Sequence, residues 1–235
     1  MTALVRPFLS QEEQRSMDNK PTPHVHAVMS QRIEAKDSLD DYPTPRWAVR
    51  ALCEKVLWKG PGQQMGDVWE PACGRGHMAE TLKEYFDKVY STDIYDYGYG
   101  GVEDFLLERN PGTKVSWIIT NPPFRLAEKF IEQAHRHARR GVAMLVRTSF
   151  LESVGRYENL FKNNPPSEVA QFVERVPMVK GRYDPKAVTA TSYCWMIWDL
   201  LGQSGKHTQL TWIPPCRKFL ERKDDHILPT KEEDK

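Results

Sequence analysis

Between residues 45 and 146, short apolar runs alternate with segments of helical periodicity, and this alternation leaves few architectures open. Pro45–Leu57 carries apolar residues at helical spacing, and Asp67–Ala72 is a short apolar run ending in a turn. His77–Phe86 reads as a helix and Lys88–Tyr95 as a strand ending near Asp93. Val115–Thr120 and Gly141–Val146 are strands of the fully buried type, with the amphipathic helix Leu126–Ala138 between them. Strands that alternate with helices predict a parallel sheet covered on both faces. Beyond residue 165 the pattern changes: Glu168–Val176 and Ser192–Leu200 both read as strands, which predicts a closing antiparallel hairpin.

A chain of 235 residues with 40% hydrophobic residues can bury one sizeable core. Residues 1–40 are polar and lack a sustained period, so they read as a disordered arm. Residues 41–215 form the predicted domain, and 216–235 read as a charged, solvated tail. No stretch approaches the ~20 apolar residues of a bilayer span, and the first residues lack the apolar core of a secretory signal. The expected location is therefore the cytoplasm, with no membrane partner. Cys53, Cys73, Cys194 and Cys216 are scattered and form no CxxC pair, so neither a metal site nor a disulfide framework is expected. The net charge of +1 neither demands nor excludes a nucleic-acid partner.

The turn after the first strand reads Glu70-Pro71-Ala72-Cys73-Gly74-Arg75-Gly76. Gly74 and Gly76 permit positive φ and a close approach of backbone to ligand. In a doubly wound sheet this turn lies at the carboxyl ends of the strands, where ligands bind. It matches neither GxGxxG nor a P-loop, so a pyrophosphate or triphosphate is not favoured. Asp93, about twenty residues on, is placed to accept from ribose hydroxyls. A nucleoside without phosphates satisfies both features, and S-adenosylmethionine is such a ligand.

Asn121-Pro122-Pro123-Phe124 directly follows the third strand. Two prolines fix the backbone and remove two N–H donors. The acceptors that remain are the Asn121 side-chain oxygen and the Pro122 carbonyl, which suit the two N–H groups of an exocyclic amine. Phe124 can stack on an aromatic base. The alternative is a rigid loop in which Asn121 only caps a helix.

The residues EPACGRG, Asp93, Glu103-Asp104-Phe105-Leu106-Leu107 and Asn121-Pro122-Pro123-Phe124 occur in order. Together they resemble the class I methyltransferases that modify amino groups, specifically the N6-adenine DNA methyltransferases. Tyr42-Pro43-Thr44-Pro45 resembles that family's upstream motif. The resemblance spans roughly residues 40–200 and implies a Rossmann-like α/β fold, a mostly parallel sheet with helices on both faces. It also implies S-adenosylmethionine as cofactor. Tyr42, Thr44, Pro45, Glu70, Pro71, Ala72, Gly74 and Gly76 would then hold the cofactor's amino-acid part. Asp93 would bind its ribose, and Asp104 with the backbone of Phe105 its adenine. Asp104 could equally be an ordinary helix cap. Small stand-alone members of the family are typical of phages and mobile genetic elements.

The expected partner is nucleic acid, with DNA first. Arg139 and Arg140 are expected on a positive rim near the catalytic loop, with Arg182 in the connection KGRYDP. Each could instead belong to a solvated face. Tyr183, in the same connection, is the candidate for the second face of the target base, or else a surface aromatic. Residues 152–190 leave room for only a short nucleic-acid-contacting segment, so specificity should be short or relaxed. The competing functions are RNA or protein-glutamine amino methylation, or a catalytically idle methyltransferase fold that serves as a binding module.

Overall fold

A computed structural model describes residues 40–57, 65–107, 114–202 and 207–227. The predicted N-terminal arm, apart from Asp40, and the last eight residues lie outside these.

Eight strands among the described residues form one sheet: β1 (Asp67–Glu70), β2 (Lys88–Asp93), β3 (Gly101–Val102), β4 (Val115–Thr120), β5 (Ala138–Arg147), β6 (Glu168–Phe172), β7 (Tyr193–Asp199) and β8 (Gln209–Ile213). Their spatial order is β3-β2-β1-β4-β5-β7-β6-β8. From β3 to β5 all neighbours are parallel. β7 is the antiparallel strand, inserted between β5 and β6. The predicted terminal hairpin is thus an antiparallel β6–β7 pair, with β7 also paired to β5. The chain builds outward from β1 to β3 and then returns to lay β4 on the other side of β1. That reversal opens a crevice at the carboxyl ends of β1 and β4.

Alternation along the strands divides the core. On β5, Ala143 and Leu145 face one way, while Val142, Met144 and Val146 face the other. On the first face lie α1 (Arg46–Ala51), which runs on as a π-helical turn to Leu57, and α2 (His77–Leu82). On the second lies α3 (Ala127–His137), through Phe130, Ile131 and Ala134. Trp195 is fully buried, and its indole N–H donates to the Ala48 carbonyl at 3.1 Å, fastening α1 to β7. The short α4 (Val154–Arg156) continues through a π-helical turn, Tyr157–Phe161, before β6.

Two local readings are corrected. β5 begins at Ala138, opposite Val115, so the strand read from Gly141 starts three residues earlier and includes Arg139 and Arg140. The stretch after residue 216, read as solvated, is docked at least to Asp225. α5 (Arg217–Leu220) places Leu220 at 9% exposure and brings Asp225 to 1%. There the carboxylate receives both Nη atoms of the buried Arg50 at 2.8 Å, while Glu84 takes Nε and Nη2. A buried guanidinium needs such partners, and the chain supplies one of them from a segment with no apolar period to announce it. Among the described residues no helix is long and apolar enough to cross a membrane.

Candidate active site

The glycine turn is held from below by Asp93. Gly74 and Gly76 sit at φ +51° and +86°, in the left-handed region. At Gly76 a side chain is also sterically barred, since a Cβ would come within 2.6 Å of the Tyr99 ring. The Asp93 carboxylate accepts from the Gly74 N–H at 2.8 Å and the Tyr95 N–H at 3.1 Å. The residue read as a ribose ligand therefore also ties the turn to the end of β2. Burial raises its pKa. Beside it, Glu70 at the end of β1 is 2% exposed, and its Oε2 has no hydrogen-bond partner. Burial first, and then the charge of Asp93, push the Glu70 carboxyl well above the usual carboxylate range.

The segment preceding α1 straps the turn and the Asn-Pro-Pro-Phe loop together. Asp41 accepts from Nε and Nη2 of Arg75, each at 3.3 Å, and its carbonyl accepts from the Gly181 N–H at 2.7 Å. Asp40 accepts from the Phe124 N–H at 3.0 Å, and the Tyr42 carbonyl accepts from Asn121 Nδ2 at 3.2 Å. Thr44 is buried and Pro45 caps α1. Asp40 and Asp41 carry no sequence signal of this role, because adjacent acids in a polar stretch look like solvated linker.

At the end of β4, the Tyr42 carbonyl fixes which end of the Asn121 amide is nitrogen. The other end, Oδ1, is buried and has no partner. Pro122 is buried behind it. Phe124 is half-buried, with its ring centroid 5.2 Å from that of Tyr42 and the Arg147 guanidinium 4.0 Å from its centroid. One neighbour of that ring is therefore a cation, which sequence reasoning had not placed there.

Asp104 bends the chain after β3 by accepting from the Leu106 N–H at 2.9 Å. Phe105 follows, 3% exposed, its ring packed edge-on against Trp69 at 5.0 Å. Glu70, Asp93, Asp104, Phe105 and Asn121 line one cleft of about 200 Å3, together with the strap residues and His77. His77, missed in the sequence, is 2% exposed with Nε2 unpartnered, and burial pushes its pKa down to about 4.

The expected substrate-binding residues do not converge on this cleft. Tyr183 is not among its lining residues: its ring stacks on His77 at 5.5 Å, and its hydroxyl donates to Glu221 at 3.3 Å. Arg139 and Arg140 stand at the amino end of β5. Met144 is level with Thr120, so Arg139 lies five residues, about 17 Å along the strand, from the level of the loop. Arg139 pairs there with Asp67 at 3.2 Å, and Arg182 pairs with Asp184 at 3.5 Å in an exposed bridge. The error at Arg139 came from treating nearness in sequence to the loop as nearness in space. A strand carries its two ends to opposite edges of the sheet.

No protein-family model and no curated protein matches the chain. Solved structures do match it. A type I restriction–modification methyltransferase subunit from Streptococcus thermophilus superposes with a TM-score of 0.52 over 69% of this chain, at 11% identity. A proposed RNA methyltransferase from Pyrococcus horikoshii gives 0.51 over 72%, at 15% identity, and 92% of that protein is covered. The fold is that of the class I methyltransferases. This methyltransferase fold spans 46% of the length of the restriction–modification subunit. In it, the carboxyl ends of β1, β2 and β4 are the ends that carry Glu70, Asp93 and Asn121.

Proposed function

We propose that this chain transfers a methyl group from S-adenosylmethionine to an exocyclic amine, with N6 of adenine in DNA as the first substrate. One observation carries the reading. Asn121, a residue of the cleft wall, keeps its Oδ1 buried and without a partner, on a loop whose two prolines have no N–H to offer. A buried acceptor left unmade costs about 1–3 kcal/mol, and an idle binding module has no use for that cost at this position.

The cleft suits the cofactor. S-adenosylmethionine carries a sulfonium and an ammonium, and the cleft holds the unpartnered, buried Glu70 Oε2 with Asp93 and Asp104 nearby. Glu70 and the Pro71–Gly76 turn would hold the amino-acid part, Asp93 the ribose, and Asp104 with the Phe105 amide the adenine. When bound, the cofactor supplies a methyl group already activated as an electrophile. The chain then needs no nucleophile, in keeping with four buried thiols, all with raised pKa.

Asn121 Oδ1 and the Pro122 carbonyl would accept the two N–H groups of the target amine. As that nitrogen turns tetrahedral it gains positive charge, which both oxygens would stabilise. The strap from Asp40 and Tyr42 holds the loop in place for that task. A paired base cannot reach this depth, so the target is flipped or single-stranded.

The test is transfer of labelled methyl from the cofactor to DNA, RNA and protein acceptors, followed by mass analysis of the modified nucleosides or residues. N6-methyladenine in DNA supports the full reading. N6-methyladenine confined to RNA, or methylglutamine, keeps the amine chemistry and replaces the substrate. Failure of the purified protein to bind the cofactor overturns it.

A further inference from the structure

A ridge built from β5 and β7 stands above the Asn-Pro-Pro-Phe loop. β5 runs three residues past the level of Thr120, so its last residue, Arg147, clears the root of the loop. Arg147 pairs across the sheet with Tyr193, which also takes one of its hydrogen bonds. The residue before Tyr193, Ser192, receives an N–H of Arg175, and its carbonyl accepts from the Thr148 N–H at 2.9 Å. Two guanidiniums therefore flank the start of one strand.

Both are exposed, and neither makes an ion pair among the described residues. In this they differ from Arg139, Arg156, Arg182 and Arg217, each of which rests on a carboxylate. The acid next to Arg175, Glu174, is turned to the backbone N–H groups of Cys216 and Arg217, both at 2.7 Å. The Arg147 guanidinium moreover sits over the Phe124 ring, 4.0 Å from its centroid, a contact that restricts the side chain. Tyr193 takes one donor of Arg147 and Ser192 one of Arg175, and the remaining donors of each guanidinium, with no carboxylate on them among the described residues, match phosphate oxygens.

We infer that Arg147 and Arg175 form a phosphodiester clamp for the strand whose target base reaches Asn121, an inference that rests on the amine-acceptor reading of that residue. A nucleotide extruded into the cleft necessarily brings a phosphate on each side of its sugar to the rim. A peptide amide brings no charge of necessity, so a paired cationic site beside the acceptor favours nucleic acid over an acidic peptide. Contact with Phe124 gives Arg147 a second consequence: it ties the phosphate contact to the loop that holds the amine.

The experiment is fluorescence anisotropy of the full chain with labelled single-stranded deoxy- and ribo-oligonucleotides, from about 50 to about 200 mM salt. Each phosphate contact on a single strand contributes about 0.7 to the slope of log affinity against log salt. Arg147→Gln and Arg175→Gln should each lower that slope by about 0.7, weakening binding about five-fold at 0.1 M salt. Arg147→Lys should keep the slope, because the charge remains. Arg139→Gln, at the opposite end of the strands, should keep it too. S-adenosylhomocysteine affinity should be unchanged in all four, showing that the fold persists. A stronger effect on deoxy- or ribo-strands identifies the source of the phosphodiester. The clamp is overturned if the wild type binds no oligonucleotide, if both Gln variants keep the wild-type slope, if Arg139→Gln lowers it equally, or if polyglutamate competes with the same sensitivity to these variants. Salt slopes that behave as stated in a protein that transfers no methyl group would keep the clamp and remove the amine reading instead.

Discussion

Replacing Asn121 by alanine separates chemistry from binding. The side chain donates through Nδ2 to the Tyr42 carbonyl at 3.2 Å and, more weakly, to the Met178 sulfur at 3.7 Å, and offers Oδ1 unpaired. Loss of the Nδ2 bond costs about 1 kcal/mol, and that cost falls on the loop and its strap. Loss of Oδ1 removes an acceptor that matters as positive charge develops, an effect on the order of 10²–10³ in kcat, or about 2.7–4 kcal/mol. Cofactor affinity should move by less than about ten-fold, or about 1.4 kcal/mol. Asn121→Asp sharpens the test. It keeps an acceptor toward the amine but sets a second acceptor against the Tyr42 carbonyl, so its rate should lie between wild type and the alanine variant. The assay is single-turnover transfer of labelled methyl to an adenine-containing oligonucleotide, with calorimetry for the cofactor. Turnover by Asn121→Ala within about three-fold of wild type would refute the role assigned to Oδ1.

Three further outcomes are expected. Asp225→Ala leaves the Arg50 guanidinium buried with Glu84 as its remaining carboxylate, and should cost about 3–5 kcal/mol in urea unfolding; a loss below about 1 kcal/mol would show that the docked segment is not held by this pair. Glu70 keeps its proton in the free folded protein above the ordinary glutamate value of 4.5, so its contribution to stability is present below that pH and fades as pH rises. A cationic ligand reverses this preference, so cofactor binding should release a proton, seen as a buffer-dependent enthalpy that Glu70→Gln removes. His77 stays neutral in the fold down to about pH 4, whereas the unfolded chain takes up its proton near 6.5; stability should therefore fall as pH drops between these values, and His77→Phe, which can keep the stack on Tyr183, should flatten that decline.

Much of the sheet was legible because its strands are buried on both faces. Val115–Thr120 is a run without alternation, and it is β4 to the residue. β8 went unread for the opposite reason: at the edge of the sheet Gln209, Leu210 and Trp212 are exposed, so the segment has neither a continuous apolar run nor a clean period. In the site, Asp93 and Asn121 were legible from spacing and loop chemistry, and Glu70 and Asp104 through the family resemblance; all four line the cleft. Asp40, Asp41, His77 and Arg147 were not. Each acquires its role from a partner far away in sequence: Phe124, Arg75, Tyr183 and Phe124 again. Local pattern carries no information about such pairs. Arg139 shows the same limit from the other side, since its charge and its nearness to the loop were both read correctly and the end of the strand it occupies was not.

Charge was the least informative quantity in the sequence, and the structure explains why. Thirty-three basic and 32 acidic residues cancel to +1, which neither demands nor excludes a charged partner. The cancellation conceals a separation. The cleft is lined by Asp40, Asp41, Glu70, Asp93 and Asp104 against the single arginine Arg75, while the ridge beside Asn121 carries two arginines with no ion pair among the described residues. An acid-lined cleft attracts a sulfonium and an ammonium and would repel a phosphate that strayed into it. The arginine ridge does the reverse. For the proposed reaction, which joins a cationic donor to a base on an anionic strand, this arrangement would keep each reactant on its own side until they meet at Asn121. The neutral side chain there is consistent with that position: its oxygen can favour a developing positive charge on the amine without adding a full negative charge that would repel the incoming strand.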